Sequence, residues 1–321
     1  MPKRKVQQPP VHPAPSATSA PELYLLDRFS EQNIETWANR SQDLDELVRR
    51  LYFDTEPARI KFKPEINQAL NKKTSAPVSF DQWVRVLGYR WCEEPLSSAG
   101  SIQTYGGRFN IGQDVEHSIS APFPAFYVAE DYETAYREYF QKEAGTTTEG
   151  LTPEELSLAG SVTIVRLRGH VERVLDLTDP VVLINATSVL KKIKMPKSVE
   201  EVLRRLKVPR GQGPRMVRTS ADLQRIFTEN WKEWPVVYGI PASSQVFGQF
   251  AVSAGFEAIR YRSTKQPSKT CLAIFPCNLG SSRSFVELVD EPPPGVTQRR
   301  LDITTSDDLS GLKSIRVKPS R

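Results

Sequence analysis

Residues 105–140 read YGGRFNIGQDVEHSISAPFPAFYVAEDYETAYREYF, and the order of features in them sets the architecture. Gly106 and Gly107 permit positive φ and a close backbone approach, so Arg108 is presented from a turn and not from a packed face. The run over 124–129 has the length and apolar density of a buried strand. Asp131 then suits a helix N-cap, with Glu133 and Thr134 in the first turn. Tyr132, Ala135, Tyr136 and Tyr139 keep helical spacing and make one apolar face. Glu138 falls at the edge of that face, where it can point into a cleft beside the strand. A glycine turn, a buried strand and a capped helix carrying a carboxylate are the parts of a site.

On either side of this stretch the pattern remains mixed. Residues 83–91 read as a strand, or a helix–strand entry, delivering Tyr89 and Arg90. A loop at 145–148 and a short acidic helix at 153–158 follow, then strands over 161–167 and 173–177. A helix is expected over 244–254, strands over 258–261 and 272–275, and an edge strand over 285–289. Pro292, Pro293 and Pro294 end the expected fold and leave a polar tail, 291–321. Upstream, residues 1–21 are rich in Pro, Ser and Ala and are expected to be disordered. Residues 22–76 form a helical extension, with Leu44, Leu47, Val48 and Leu51 on one face. The catalytic domain is placed at 80–290.

With 321 residues and 39% hydrophobic content, the chain can bury one substantial core with segments to spare. Cys92, Cys271 and Cys277 make no CxxC pair, which fits a reducing compartment. His12, His117 and His170 are isolated, so no zinc-ligand spacing exists and no metal is expected. No 18-residue apolar run and no signal-peptide core is present; a cytoplasmic protein without membrane contact is expected. Charge is uneven: residues 191–218 hold ten Lys or Arg against two Glu, a local +8 in a chain of net +5. Such a segment can grip nucleic acid or an acidic partner. The plainer reading is a solvated helical face, because Val199, Val202, Leu203 and Leu206 supply its apolar side and no aromatic residue interleaves the charge.

The chain resembles the RES domain, a family named for its Arg, Glu and Ser and known as the toxin half of RES–Xre toxin–antitoxin pairs. The matching pieces are Tyr89-Arg90 ("YR"), Gly106-Gly107-Arg108-Phe109-Asn110 ("GGRWN") and Ala125-Phe126-Tyr127-Val128-Ala129 ("ALYLA"). Glu138 follows Thr134-Ala135, the family's "TA". Val174-Leu175-Asp176-Leu177-Thr178 is similar to "VLDLT", the stretch from Gly255 to Ser263 to "GFDGLLYPS", and Cys271-Leu272-Ala273-Ile274-Phe275 to "NLVLF". Phe109 stands where the family has Trp, and Ile111-Gly112 where it often has Pro-Pro-Gly.

The resemblance implies an ADP-ribosyltransferase-like α/β fold, a mixed, split β core flanked by helices, that consumes NAD⁺ as substrate with no retained cofactor. Glu138, Arg108 and Tyr127 are then the expected catalytic residues. Breaking the nicotinamide–ribose bond requires a carboxylate near a developing oxocarbenium ion, which suits Glu138. Arginines Arg90 and Arg108 suit the pyrophosphate, and Tyr127 suits the cationic ring. Tyr89, Asn110, Ser263 and Gln245 complete the expected NAD⁺ contacts, with Ser243 and Ser244 as alternatives for the functional serine. Each residue also has a plain reading: an ion pair of Glu138 with Lys142, an exposed Arg108, a core Tyr127, a buried salt bridge for Arg90. The partner implied is an Xre-type antitoxin, through which an oligomer can be built. Hydrolysis, phosphorolysis and transfer of ADP-ribose to a protein all remain open acceptors, and a non-catalytic nucleic-acid module based on 191–218 is the reading from a different class.

Overall fold

The computed structural model describes residues 31–73, 76–115, 121–142, 161–209 and 213–314. The expected N-terminal tail, the loop at 145–148 and the acidic helix at 153–158 lie outside them. The chain divides into two compact units, 1–44 and 45–321. Of the first unit the described part is the opening of helix α1 (Glu31–Phe53).

The second unit is centred on an eight-stranded mixed sheet in the order β10-β9-β5-β1-β4-β8-β7-β6. The strands are β1 (Val78–Gly88), β4 (Phe126–Ala129), β5 (Val162–Val171), β6 (Val174–Asp176), β7 (Ala258–Arg262), β8 (Thr270–Ile274), β9 (Phe285–Leu288) and β10 (Arg300–Asp302). Among the described residues, β6 and β7 are the one parallel pair. A separate hairpin joins β2 (Gly106–Gly107) to β3 (Asn110–Ile111). Period-two alternation explains the two faces of the sheet. Tyr127 and Ala129 of β4 point toward one core with Val84, Ile259, Tyr261 and Ala273, and Phe126 and Val128 point toward the other with Leu167, Leu272 and Ile274. β1 and β4 pair at a single position, Val84 opposite Ala129.

Helices cover the first face. α2 (Glu56–Leu70) buries Ile66, Ala69 and Leu70 in the same core as α4 (Pro180–Leu190) and α7 (Ser243–Ser253), so residues 45–73 are docked on the sheet domain. α3 (Tyr132–Phe140) starts where expected, because the Asp131 carboxylate accepts the Thr134 N–H at 2.8 Å. Burial alone would raise the Asp131 carboxyl, but hydrogen bonds from Thr134 and the partner Lys269 hold it below its ordinary value. A depressed carboxylate stabilises the fold above its unfolded pKa, and the contribution is lost as pH falls through the folded value. Asp131→Ala is therefore expected to cost about 0.5–2 kcal/mol at neutral pH and less in acid, read by urea unfolding at two pH values.

Two expectations are corrected. The fold does not end at Pro294: Leu301 on β10 and Leu309 on α8 (Ser306–Leu309) are buried against the second core, and β10 covers β9, which is not the edge. Isolated leucines in a polar stretch carry no period, so they escape a pattern reading. Nor does the strand deliver Tyr89 and Arg90. β1 ends at Gly88, and Tyr89–Trp91 forms a 3₁₀ turn with Tyr89 61% exposed.

In the basic segment, α5 (Lys197–Arg205) buries Val199 and Val202, and Arg205 and Lys192 pair with Glu46 and Glu65. This is the solvated amphipathic face of the plainer reading. Among the described residues no helix is long and apolar enough to cross a membrane.

Candidate active site

A cleft of about 440 Å³ opens between the β2–β3 turn, the first-face end of β1 and β4, and helix α3. Arg108, Tyr127 and Glu138 all line it, together with Gly106, Gly107 and Tyr261.

The turn is built by its neighbours. Gly106 has φ +93°, and a Cβ there would meet the Asn110 carbonyl oxygen at 2.2 Å, so no side chain fits. A Cβ on Gly107 would lie 2.5 Å from the Tyr127 hydroxyl. From α7, the buried Gln245 amide donates to the carbonyls of Tyr105 (2.8 Å), Gly107 (3.0 Å) and Asn110 (2.9 Å), while its oxygen accepts the Ala242 N–H. Asn110 works the same way from within. Its side-chain oxygen accepts from the Gly107 N–H (2.8 Å) and the Tyr127 hydroxyl (2.9 Å), and its amide donates to the carbonyls of Ser101 and Phe123. Both residues are fully buried. They shape the turn and are placed behind the cleft wall, not on it, which corrects their expected role as NAD⁺ contacts.

Glu138 does not rely on Lys142. Its Oε1 accepts from the Ser263 hydroxyl at 2.6 Å and the Thr264 N–H at 2.8 Å. Ser263 Oγ itself accepts the N–H groups of Lys265 (3.1 Å) and Gln266 (3.0 Å), so its proton is directed at Glu138. Among the three candidate serines, Ser263 is the one beside the carboxylate; Ser243 is exposed at the start of α7, and Ser244 is buried with its hydroxyl unpartnered.

Arg108 is buried. Its Nη1 donates to the carbonyls of Phe227 (2.8 Å) and Glu229 (3.1 Å), at the end of α6 (Ser220–Thr228), and its Nη2 donates to Thr264 Oγ1 (3.0 Å). Tyr127 presents its ring to the cleft with its hydroxyl held between Asn110 and the Phe109 N–H. Burial pushes the Tyr127, Tyr261 and Cys271 groups well above their ordinary values, so all three are neutral.

Tyr89 and Arg90 do not line this cleft. Arg85 of β1 borders it, but alternates with Val84 and Val86 of the first core, so its side chain points to the second face of the sheet. Its guanidinium stacks on Phe126, 3.9 Å from the ring centroid, and Nη2 donates to the Ser97 carbonyl at 2.8 Å. Nη1 is buried with no hydrogen-bond partner, and burial pushes the guanidinium down to about 9. The guanidinium thus lies with Phe126 and the Ser97 carbonyl on the face away from Tyr127. Sequence reading treated the cleft's cations as arginines alone. It missed Trp231 and Lys232, which line the cleft from the turn after α6. Burial, Lys265 and Arg108 push the Lys232 ammonium down. Among the described residues, no group of three or more His, Cys, Asp or Glu is placed to hold a metal ion.

Among solved structures, the chain is similar to that of the M. tuberculosis MbcT–MbcA toxin–antitoxin complex, at 15% identity and a TM-score of 0.39, over 76% of this chain and 96% of that one. Comparison with curated proteins gives no match. The family model described as the RES domain matches residues 82–293, a span that begins in β1, takes in Arg85, Arg108, Tyr127, Glu138 and Ser263, and closes after β9. The chain belongs to the RES domain family.

Proposed function

We propose that the cleft binds NAD⁺ as a consumed substrate and that the protein cleaves its nicotinamide–ribose bond, by hydrolysis or phosphorolysis. The observation that carries this reading is the Glu138 carboxylate, fixed by Ser263 and Thr264 in a cleft that also holds buried arginine. A carboxylate held in place beside the ribose stabilises positive charge as the glycosidic bond lengthens, and it needs no reorganisation to do so. The wall of Tyr127 offers an aromatic face to the cationic ring. Arg108 and Lys232 offer cations to the pyrophosphate; the cleft volume of about 440 Å³ falls in the range of small-molecule sites.

Membership of the RES family supports a toxin of a toxin–antitoxin pair, acting by NAD⁺ depletion and restrained by an Xre-type antitoxin that covers the cleft. Transfer of ADP-ribose to a protein is the same bond broken with another acceptor. The experiment that tests these readings is incubation of purified protein with NAD⁺, with and without phosphate, and with labelled NAD⁺ plus cell extract. Free nicotinamide supports the cleavage, and label on protein selects transfer.

Two cations of this region are expected to separate. Lys232→Met should weaken ADP-ribose binding by about 10- to 100-fold, the range for a hydrogen bond to a charged group. Arg90→Ala should change it by less than about twofold, as for an ordinary surface substitution. Titration calorimetry on the two folded variants checks both.

A further inference from the structure

The Arg108 guanidinium and the Glu138 carboxylate do not touch; Thr264 stands between them. Its Oγ1 accepts from Arg108 Nη2 at 3.0 Å, its backbone N–H donates to Glu138 Oε1 at 2.8 Å, and Oγ1 lies 3.5 Å from the same oxygen. Arg108 is in turn tied to the end of α6 by two carbonyls. The chain of contacts therefore runs from α6 through Arg108 and Thr264 to the carboxylate on α3. Among the described residues, every hydrogen bond to that carboxylate falls on Oε1, which leaves Oε2 for the cleft.

We infer that Thr264 is a positioning residue: clamped by Arg108, it fixes the Glu138 carboxylate so that one oxygen is held by the protein and the other faces the substrate. On this inference Arg108 acts on catalysis through Thr264, in addition to any contact it makes with the substrate. Neither the spacing of the Gly-Gly-Arg turn nor that of Glu138 contains Thr264, which lies in the loop between β7 and β8, 126 residues after Glu138 in the chain. A misplacement of about 1 Å can cost on the order of 10²-fold in rate, so a hydroxyl that positions a reacting group affects the chemical step more than ground-state binding.

The inference rests on the NAD⁺-cleavage reading, and its test separates the two. Thr264→Val keeps the shape and the backbone N–H and removes the acceptor for Arg108; Thr264→Ser restores it. With the full chain and NAD⁺, Thr264→Val is expected to lower kcat by about tenfold or more with KM within about twofold, and Thr264→Ser to recover most of the rate, with both variants melting near the parent. Because Arg108 and Thr264 form one unit, Arg108→Ala combined with Thr264→Val should be no slower than Arg108→Ala alone. An active parent whose Thr264→Val variant keeps its kcat, or whose double variant shows the product of the two losses, overturns the inference and leaves the cleavage reading standing. A parent that releases no nicotinamide overturns both.

Discussion

Glu138→Gln is expected to yield a folded protein that binds NAD⁺ and cleaves it at least about 10²- to 10³-fold more slowly, the loss typical of removing one preorganised electrostatic group. Glutamine keeps an oxygen to accept from Ser263 Oγ and the Thr264 N–H, so the clamp on the α3 side survives. On the proposed reaction, what disappears is the negative charge that would face the developing oxocarbenium ion. The loss should therefore appear in kcat with binding of ADP-ribose little changed, because a full positive charge on the ribose exists only near the transition state. A melting curve close to the parent's is part of the expected result. A variant that still turned over at the parent's rate would remove Glu138 from the chemistry.

The second large effect is structural. Gln245→Leu keeps the volume of a side chain that is fully buried and removes its four hydrogen bonds, leaving the Tyr105, Gly107 and Asn110 carbonyls and the Ala242 N–H without that partner. Unmade hydrogen bonds in the interior cost more than made ones stabilise, so a loss of about 3–5 kcal/mol is expected, with a fall in Tm on the order of 10 °C. The β2–β3 turn carries Gly107 against Tyr127 and presents Arg108, so the surviving folded fraction should also bind ADP-ribose weakly. Calorimetric melting followed by titration separates the two consequences. Unchanged melting would mean that the turn holds its shape without α7.

Much of the site was legible because its signals are local. The Gly-Gly turn, the buried strand at Tyr127, the Asp131 cap and the helical offset that places Glu138 each depend on residues within a few positions of one another, and each element formed within two residues of its expected bounds. Other features depended on distant parts of the chain. Ser263 and Thr264 reach Glu138 only because β7 and β8 pair beside β4. Gln245 and Asn110 were read as substrate contacts because amide side chains in a site motif suggest ligand hydrogen bonds, whereas packing turned both toward the backbone of the turn. Arg90 shows the limit of a two-residue match: β1 ends at Gly88, which leaves Arg90 on a 3₁₀ turn outside the cleft lining. No periodicity could reveal that. Arg137, 1% exposed and paired with Glu133 on α3, went unnoticed because a charged residue in an amphipathic helix is ordinarily solvated.

Product analysis of NAD⁺ after incubation with the purified parent protein decides whether the glycosidic bond is cut at all. Release of free nicotinamide, with ADP-ribose as companion in water or its 1″-phosphate where phosphate is the acceptor, is the predicted result. NAD⁺ that remains intact in water, in phosphate and in cell extract would contradict it.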